Sequence, residues 1–306
     1  MSLHGIIPAV GTPLMDEDRV DEAGLRRLVR YVLDGGVHGV FANGSMGGFA
    51  FLTDDEQVRS VAITVSAVAD RVPVIGGVGE TSTSRAIRLA RRIAAEGVDY
   101  LSVLPPFYFF ATQEHLIDYF GEIAAATPVP VFLYDNPVLT KNKLEVETII
   151  ELKRRIPTLA GIKVSDSDCA KLQAIVHSTR EHDDFPVITG SEFLIVVALQ
   201  MGCAGAVGGL HNLCPHLAVA LWDAYQAGDL ARARSLQQDM IETWQIFRYG
   251  AIWGAFDEAL RYLGICERAT GRPYITVLDN AGRDAVHRIL DRYVKPYLSA
   301  AAGPAR

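Results

Sequence analysis

The chain has 306 residues, 49% of them hydrophobic and 21% charged, so it can bury a substantial core and is not a disordered chain. Its 29 basic and 36 acidic residues give a net charge of −7, which provides no basic surface for a nucleic-acid backbone. The four cysteines lack CxxC spacing, and the first residues lack the cationic segment of a secretion signal. We therefore expect a cytoplasmic protein that binds no nucleic acid.

Short apolar segments recur about every thirty residues, and each is followed by a stretch of helical periodicity. Each segment is apolar almost throughout, as parallel strands covered on both faces are. Eight such strands and their helices indicate a (β/α)8 TIM barrel over residues 1–226, whereas a doubly wound sheet usually has fewer strands and a glycine fingerprint. The predicted strands are Gly5–Val10, Val37–Ala42, Val72–Gly76, Val98–Leu104, Val129–Tyr134, Thr158–Lys163, Pro186–Gly190 and Cys203–Gly208.

Residues 227–306 have helical periodicity only, which predicts a C-terminal helical extension. Its helices are expected at Asp229–Tyr249, Ile252–Leu263 and Asp279–Tyr297. Within the barrel, Thr53 and Glu56 resemble a capping box, and Ser191 is expected to begin a helix. The uncharged stretch from Phe193 to Trp222 is divided by glycines and polar residues, so it predicts a buried helix and strand rather than a membrane span.

Two side chains at the ends of adjacent predicted strands are candidate catalytic residues. Lys163 ends an apolar strand, where burial would lower its pKa and favour a nucleophilic amine, as a Schiff-base enzyme requires. The alternative is a lysine whose stem lies on apolar surface while its head reaches water. Tyr134 ends the neighbouring strand, so its phenol could exchange protons in the same pocket, or it could be a core residue.

Loops after other strands contain weaker candidates. The turn Gly44–Gly48 offers backbone N–H groups and the Ser45 hydroxyl, which suit a carboxylate, although an ordinary tight turn has the same composition. The aromatic run around Tyr108 is typical of a pocket, an interface or packing under the helical tail. The eight histidines form no HxxxH or HxH pair, so we expect no metal centre.

Taken in order, these motifs resemble the dihydrodipicolinate synthase and N-acetylneuraminate lyase family. Members of that family are pyruvate-type class I aldolases on a (β/α)8 barrel with a C-terminal helical extension. The resemblance covers nearly the whole chain. It rests on Pro8-Ala9-Val10-Gly11-Thr12-Pro13, Gly44-Ser45, Pro106-Phe107-Tyr108, Leu133-Tyr134 with Pro137, Gly161-Ile162-Lys163, Gly190 and Gly205-Ala206-Val207.

The resemblance implies a role for each matching residue. Lys163 would form an imine with a 2-oxo acid, so that no cofactor is needed, and Tyr134 would be the acid–base residue. Ser45 and the backbone amides of Ser45 and Met46 would hold the pyruvate carboxylate. Tyr108 matches the tyrosine that in synthases of the family enters the site of a neighbouring subunit, which implies a homo-oligomer, expected to be a homotetramer of two tight dimers.

Other positions would line the substrate site. Val207 would contribute its carbonyl, and Gly190 ends the seventh strand. The hydroxyl of Ser165 resembles the lyases, and Glu192 stands where their sugar-binding loop carries acidic residues, although Phe193 breaks that match.

Some positions depart from the family pattern. Met46 and Gly48 replace a second hydroxyl and an acid in the carboxylate-binding turn. Leu139 replaces the arginine with which dihydrodipicolinate synthases hold their second substrate, so the chain looks closer to the lyases and the 2-keto-3-deoxy sugar acid aldolases.

We therefore expect a class I aldolase that cleaves or forms a 4-hydroxy-2-oxo acid or 2-keto-3-deoxy sugar acid, with pyruvate as product or donor. One alternative is a sugar-acid dehydratase that uses the same lysine imine. Another is a non-catalytic barrel that binds 2-oxo acids, which Met46 and Gly48 would suggest.

Overall fold

Residues 3–301, which the computed structural model describes, form eight parallel β-strands surrounded by helices. The strands are β1 (Gly5–Pro8), β2 (Val40–Ala42), β3 (Val74–Val78), β4 (Tyr100–Val103), β5 (Val131–Asp135), β6 (Gly161–Val164), β7 (Val187–Thr189) and β8 (Gly205–Gly208). The helices of the repeat are α1 (Glu22–Asp34), α2 (Asp54–Val68), α3 (Thr83–Ala94), α4 (Gln113–Ala125), α5 (Pro137–Thr140), α6 (Val146–Arg155), α7 (Cys169–Thr179), α8 (Ile195–Met201) and α9 (Pro215–Gln226). The predicted TIM barrel is confirmed.

The sheet closes on itself. Neighbouring strands pair in parallel in the order β1-β8-β7-β6-β5-β4-β3-β2. Between β1 and β2 the closure consists of a bridge between Ala9 and Phe41 and a 2.9 Å hydrogen bond from the His38 N–H to the Ile6 carbonyl. The carboxyl ends of all eight strands therefore meet at one end of the barrel, where the active sites of such folds lie.

Alternation along each short strand divides the buried side chains between two cores. Side chains such as Ile7, Phe41 and Phe132 pack together inside the barrel. Their neighbours Ile6 and Val40, among others, belong to the larger core between the strands and the helices. Because successive side chains of a strand point to opposite faces, this alternation decides which polar residues point into the barrel.

The helices after residue 227 pack on the barrel. They are α10 (Leu230–Trp244), α11 (Ala251–Tyr262), α12 (Asn280–Tyr293) and α13 (Lys295–Ala301), and α10 packs against α9. The division between barrel and extension at residue 227 stays a prediction, and it falls between α9 and α10. Within residues 3–301, no helix combines the length and the apolar character that a membrane span requires.

Three local predictions were wrong. Thr53 caps α2, but the Glu56 carboxylate accepts a 2.6 Å hydrogen bond from the Val20 N–H instead of completing a capping box. The helix expected at Ser191 begins at Ile195. The last predicted helix breaks at Val294, two residues before Pro296, because proline cannot supply the N–H that a continuous helix needs.

Candidate active site

The pairing of β5 with β6 brings the two principal candidates together. Tyr134 lies directly beside Lys163 in the register of the sheet. Ile162 and Val164 belong to the outer core, so the side chain between them points into the barrel, where Tyr134 also packs. Lys163 Nζ lies 4.0 Å from the centroid of the Tyr134 ring. Both side chains are buried, with 5% and 3% exposure.

The Tyr134 hydroxyl is the centre of a hydrogen-bond network. The Asn136 side-chain amide donates to it over 3.0 Å, and the Ser45 hydroxyl lies 3.5 Å from it. Burial would raise the pKa of Tyr134, but the charge of Lys163 and hydrogen bonds with Ser45, Ser165 and Lys163 outweigh burial and lower it. A phenol with a lowered pKa releases and recovers a proton more readily near neutral pH, as an acid–base residue must.

Ser45 lies in the turn between β2 and α2. Its carbonyl accepts a 3.1 Å hydrogen bond from the Gly48 N–H, and Gly48 has a φ of +67°, which suits glycine. Within the part of the chain that the structure describes, the N–H groups of Ser45 and Met46 have no backbone acceptor. These two N–H groups, beside the Ser45 hydroxyl, can therefore hold a carboxylate.

Two glycines make room for polar side chains on the opposite wall. A Cβ on Gly190 would lie 1.9 Å from Ser165 Oγ, and one on Gly208 would lie 2.4 Å from Glu192 Oε1. Only glycine allows the Ser165 hydroxyl and the Glu192 carboxyl to occupy these positions.

The Glu192 carboxyl is partly withdrawn from solvent. Its Oε1 accepts a 2.5 Å hydrogen bond from the Leu210 N–H. Burial raises its pKa to about 7, against the opposing effects of the Leu210 and Gly209 N–H groups and of Lys163. Near neutral pH this side chain can therefore hold or release a proton.

These residues line one cavity of about 540 Å³, called here the lysine cavity. It includes all but one of the predicted site residues: Ser45, Met46, Tyr134, Lys163, Ser165, Gly190, Glu192 and Val207. They come from five different strand ends or the loops after them. The side chains collected here can form an imine, exchange protons and hold a carboxylate.

Tyr108 does not line the lysine cavity of its own chain. Its side chain is 72% exposed, and its backbone has a φ of +85°. Phe109 and Phe110 beside it are 75% and 83% exposed. A row of three exposed aromatic side chains is typical of an interface between protein molecules.

Several residues of the site were missed by the sequence interpretation. Asn136 was not singled out, although its position two residues after Tyr134 could have indicated a shared face. Trp244 and Phe247 form an outer wall from the C-terminal helices, and no local pattern connects them with Lys163. His211 is fully buried but does not line the lysine cavity. Burial and the Lys163 charge lower its pKa to about 4, and a hydrogen bond with the Ile7 carbonyl opposes this shift.

No group of three or more His, Cys, Asp or Glu side chains that could hold a metal ion occurs in residues 3–301. The four cysteines are free thiols, and three of them are buried.

Comparison with known proteins assigns the chain to a family. The profile of the dihydrodipicolinate synthetase family matches residues 2–293. An uncharacterized DapA-like lyase of Halobacterium salinarum is 36% identical over 264 residues, which is 86% of each chain. The 4-hydroxy-tetrahydrodipicolinate synthase of Methanoculleus marisnigri is 31% identical over 289 residues, covering 94% of this chain and 98% of the relative.

A solved structure has the same fold over nearly the full length. YagE, a prophage protein of the dihydrodipicolinic acid synthase family from E. coli K12, was crystallised in complex with pyruvate. It superposes with a TM-score of 0.90 at 27% identity, over 95% of this chain and 98% of YagE. The chain therefore belongs to the dihydrodipicolinate synthetase family of lyases.

Proposed function

We propose that the protein is a Schiff-base-forming class I aldolase that cleaves or forms a 4-hydroxy-2-oxo acid, with pyruvate as product or donor. The 2-keto-3-deoxy sugar acids are one class of such substrates. The observation that carries the proposal is the buried Lys163 amine next to the Tyr134 phenol in an open cavity. The complex of YagE with pyruvate supports the choice of pyruvate.

Lys163 supplies the electron sink for the reaction. Its amine adds to the C2 carbonyl of the substrate. Tyr134 gives its proton to the departing hydroxyl, so that one water leaves and an iminium and the Tyr134 phenolate remain. Tyr134 takes the proton of the C4 hydroxyl as the C3–C4 bond breaks, and the aldehyde leaves. The electron pair of that bond forms an enamine. Return of the proton to C3 and addition of water release pyruvate and the free amine, so no separate cofactor is required.

The Ser45 turn holds the substrate carboxylate in this proposal. The two N–H groups of Ser45 and Met46 and the Ser45 hydroxyl would donate to it. The Met46 side chain adds no donor, so the backbone provides most of the binding. Because Ser45 also lies 3.5 Å from the Tyr134 hydroxyl, it connects the carboxylate with the proton-transfer network.

We further propose that a homo-oligomer completes the site. The exposed aromatic residues Tyr108, Phe109 and Phe110 would contact a second copy and place Tyr108 near that copy's Ser45. The apolar side chain of Val138, which is 82% exposed, would be covered in the same contact. A tetramer of two such dimers is the expected assembly.

One observation favours a second candidate, dehydration of the substrate through the same imine. Expulsion of a hydroxyl as water needs an acid, and the Glu192 carboxyl, with its pKa of about 7, lies in the lysine cavity. A dehydratase would keep all the carbon atoms of the substrate in one product.

Product analysis distinguishes these activities. The purified protein is incubated with 4-hydroxy-2-oxo acids of several chain lengths, with and without further hydroxyl groups. An aldolase releases pyruvate and aldehyde in equal amounts, and a dehydratase releases a longer oxo acid and no aldehyde. Lys163→Arg keeps the positive charge but removes the nucleophilic amine, so it should abolish turnover. Stabilisation by 2-oxo acids without any product would instead indicate the non-catalytic barrel.

A further inference from the structure

A second cavity adjoins the lysine cavity, and Ser45 borders both. This cavity, called here the apolar pocket, has a volume of about 240 Å³. Its walls are mainly apolar and include Phe49, Phe51, Leu104, Phe107, Leu139 and Trp253. No charged side chain lines it within the described residues.

The apolar pocket offers almost no partner to a hydroxylated ligand. Its side-chain hydroxyls are those of Ser45 and Thr140. The Thr140 hydroxyl is already used, because it lies 2.9 Å from both the Asn136 and the Asn142 carbonyls and accepts from the Asn142 N–H. A polyhydroxylated chain placed there would lose its water without finding replacement hydrogen bonds, which is unfavourable.

The shape of the apolar pocket is held by packed aromatic rings. Phe49 is 8% exposed, and its ring packs edge to face on that of Phe107, with the ring centroids 6.1 Å apart. Phe51 packs in the same way on Trp253 at 5.1 Å. The pocket therefore exists without a ligand. An apolar protein cavity of about 150 Å³ already accommodates benzene, so this one can hold an aromatic ring or a short alkyl chain.

The outer wall of the lysine cavity is also apolar on the side of the C-terminal helices. Phe193 packs on Trp244 with the ring centroids 4.8 Å apart, and Trp244 packs on Phe247 at 5.5 Å. The polar side chains of Ser165, Asp166 and Glu192, among others, line the lysine cavity, and none of them lines the apolar pocket. Apart from Ser45 and Thr140, the side chains with hydroxyl, carboxyl or amide groups around the two cavities therefore line the lysine cavity, which contains Lys163.

We propose that the apolar pocket binds the aldehyde part of the substrate, and that this part carries an aromatic ring or an unsubstituted alkyl chain. The inference rests on the proposed aldolase function and narrows its substrate class. It selects apolar 4-hydroxy-2-oxo acids over the 2-keto-3-deoxy sugar acids. Ser45 borders both cavities, so the C4 hydroxyl of such a substrate would lie near Ser45, where the substrate chain extends from the lysine cavity into the apolar pocket.

Condensation of pyruvate with a panel of aldehydes tests the proposal. Benzaldehyde and hexanal are compared with D-glyceraldehyde and D-erythrose, and kcat/KM is measured for each. The apolar aldehydes should exceed the hydroxylated ones at least tenfold. Equal or better use of the hydroxylated aldehydes would overturn the inference. Borohydride trapping of the pyruvate imine is run in parallel: an imine without apolar preference refutes only the substrate class, whereas no imine refutes the aldolase itself.

A variant that fills the apolar pocket gives a second test. Ala50 lines the pocket and is exposed, so Ala50→Phe adds bulk there without entering the core. It should lower kcat/KM for benzaldehyde and hexanal at least tenfold while acetaldehyde, which is too short to reach the pocket, changes less than threefold. Ala231→Phe, at an exposed position on α10 outside both cavities, is the matched control and should change neither value.

The same variant excludes another occupant of the pocket. If the Tyr108 ring of a second copy fills it, Ala50→Phe will reduce the mass of the assembly in light scattering and leave the ratio of kcat/KM values unchanged. That result would overturn the proposal. Melting temperatures of both variants, compared with the unmodified protein, verify that the substitutions have not disturbed folding.

Discussion

Replacement of Tyr134 by phenylalanine removes one oxygen atom and leaves the ring in place. The ring keeps its edge-to-face contact with Phe41 at 6.1 Å and its position 4.0 Å from Lys163 Nζ. The lost atom is the one that accepts from Asn136 over 3.0 Å and lies 3.5 Å from Ser45. Tyr134→Phe therefore tests proton transfer separately from the shape of the cavity.

The expected loss in kcat is about 10²- to 10³-fold, since a positioned acid–base group contributes roughly 10²- to 10⁴-fold. A 10²-fold loss corresponds to about 2.7 kcal/mol of activation free energy. Stability should fall by only about 1 kcal/mol, because one buried hydrogen bond is lost and the Asn136 amide is left without this acceptor. The protein should remain folded and should still form the pyruvate imine, more slowly.

Tyr119→Phe is the matched control. Tyr119 is also buried, with 3% exposure, and its hydroxyl has no hydrogen-bond partner in the part of the chain that is described. Removal of the Tyr119 hydroxyl should leave kcat unchanged and the free energy of unfolding unchanged or slightly higher. Steady-state release of pyruvate and urea unfolding of both variants measure the two effects. If Tyr134→Phe keeps more than a third of kcat, the phenol is not the acid–base group and the reasoning fails.

Three further substitutions test the packing and charge of the site. Gly190→Ala should lower kcat/KM at least tenfold in the pyruvate-release assay, because the new Cβ would lie 1.9 Å from Ser165 Oγ and displace it. Lys171→Met should reduce the free energy of unfolding by about 3–5 kcal/mol in urea, since it leaves the buried Asp135 carboxylate without its ion-pair partner. Glu192→Gln should flatten the pH dependence of stability. The pKa of the Glu192 carboxyl rises from 4.5 to about 7 on folding, so this group makes the free energy of unfolding fall as the pH increases through that interval, by up to about 3 kcal/mol.

Each of these three predictions has a control variant or an outcome that would contradict it. Gly121→Ala, in a helix where the added Cβ meets nothing within 4 Å, should leave activity unchanged and slightly increase stability. Arg88→Met breaks a more exposed ion pair with Asp54 and should cost less than 1 kcal/mol. A Lys171→Met variant as stable as Arg88→Met would contradict the buried-pair argument. If the free energy of unfolding depends on pH in the same way in Glu192→Gln and in the unmodified protein, the raised pKa of Glu192 is contradicted.

Much of the fold could be predicted because the barrel repeats one local pattern. Apolar strands and amphipathic helices alternate along the chain, and all eight predicted strands overlap the observed ones. The strand starts were less predictable. Val37–Ala42, for example, is a strand only from Val40, because Val37 is apolar and buried although it lies outside the strand. Thr53 and Glu56 show a similar limit, since the partner of Glu56 is the distant Val20 N–H.

The position of Lys163 and Tyr134 could be predicted for a related reason. Both end short strands that are consecutive in the chain, and consecutive parallel strands of a barrel are neighbours. The walls of the substrate site could not be predicted in this way. Trp244 and Trp253 reach the two cavities from the C-terminal helices, and their positions depend on packing between segments distant in the sequence.

Covalent trapping followed by peptide mapping determines whether the amine of Lys163 forms an imine. The chain offers internal controls, because Lys153 and Lys171 are each 7% exposed, close to the 5% of Lys163, but are held in ion pairs. After incubation with pyruvate and borohydride, we expect one reduced pyruvyl adduct per chain, located on Lys163 and absent from Lys163→Arg. An adduct on another lysine, or none with pyruvate or any longer 2-oxo acid, would contradict it.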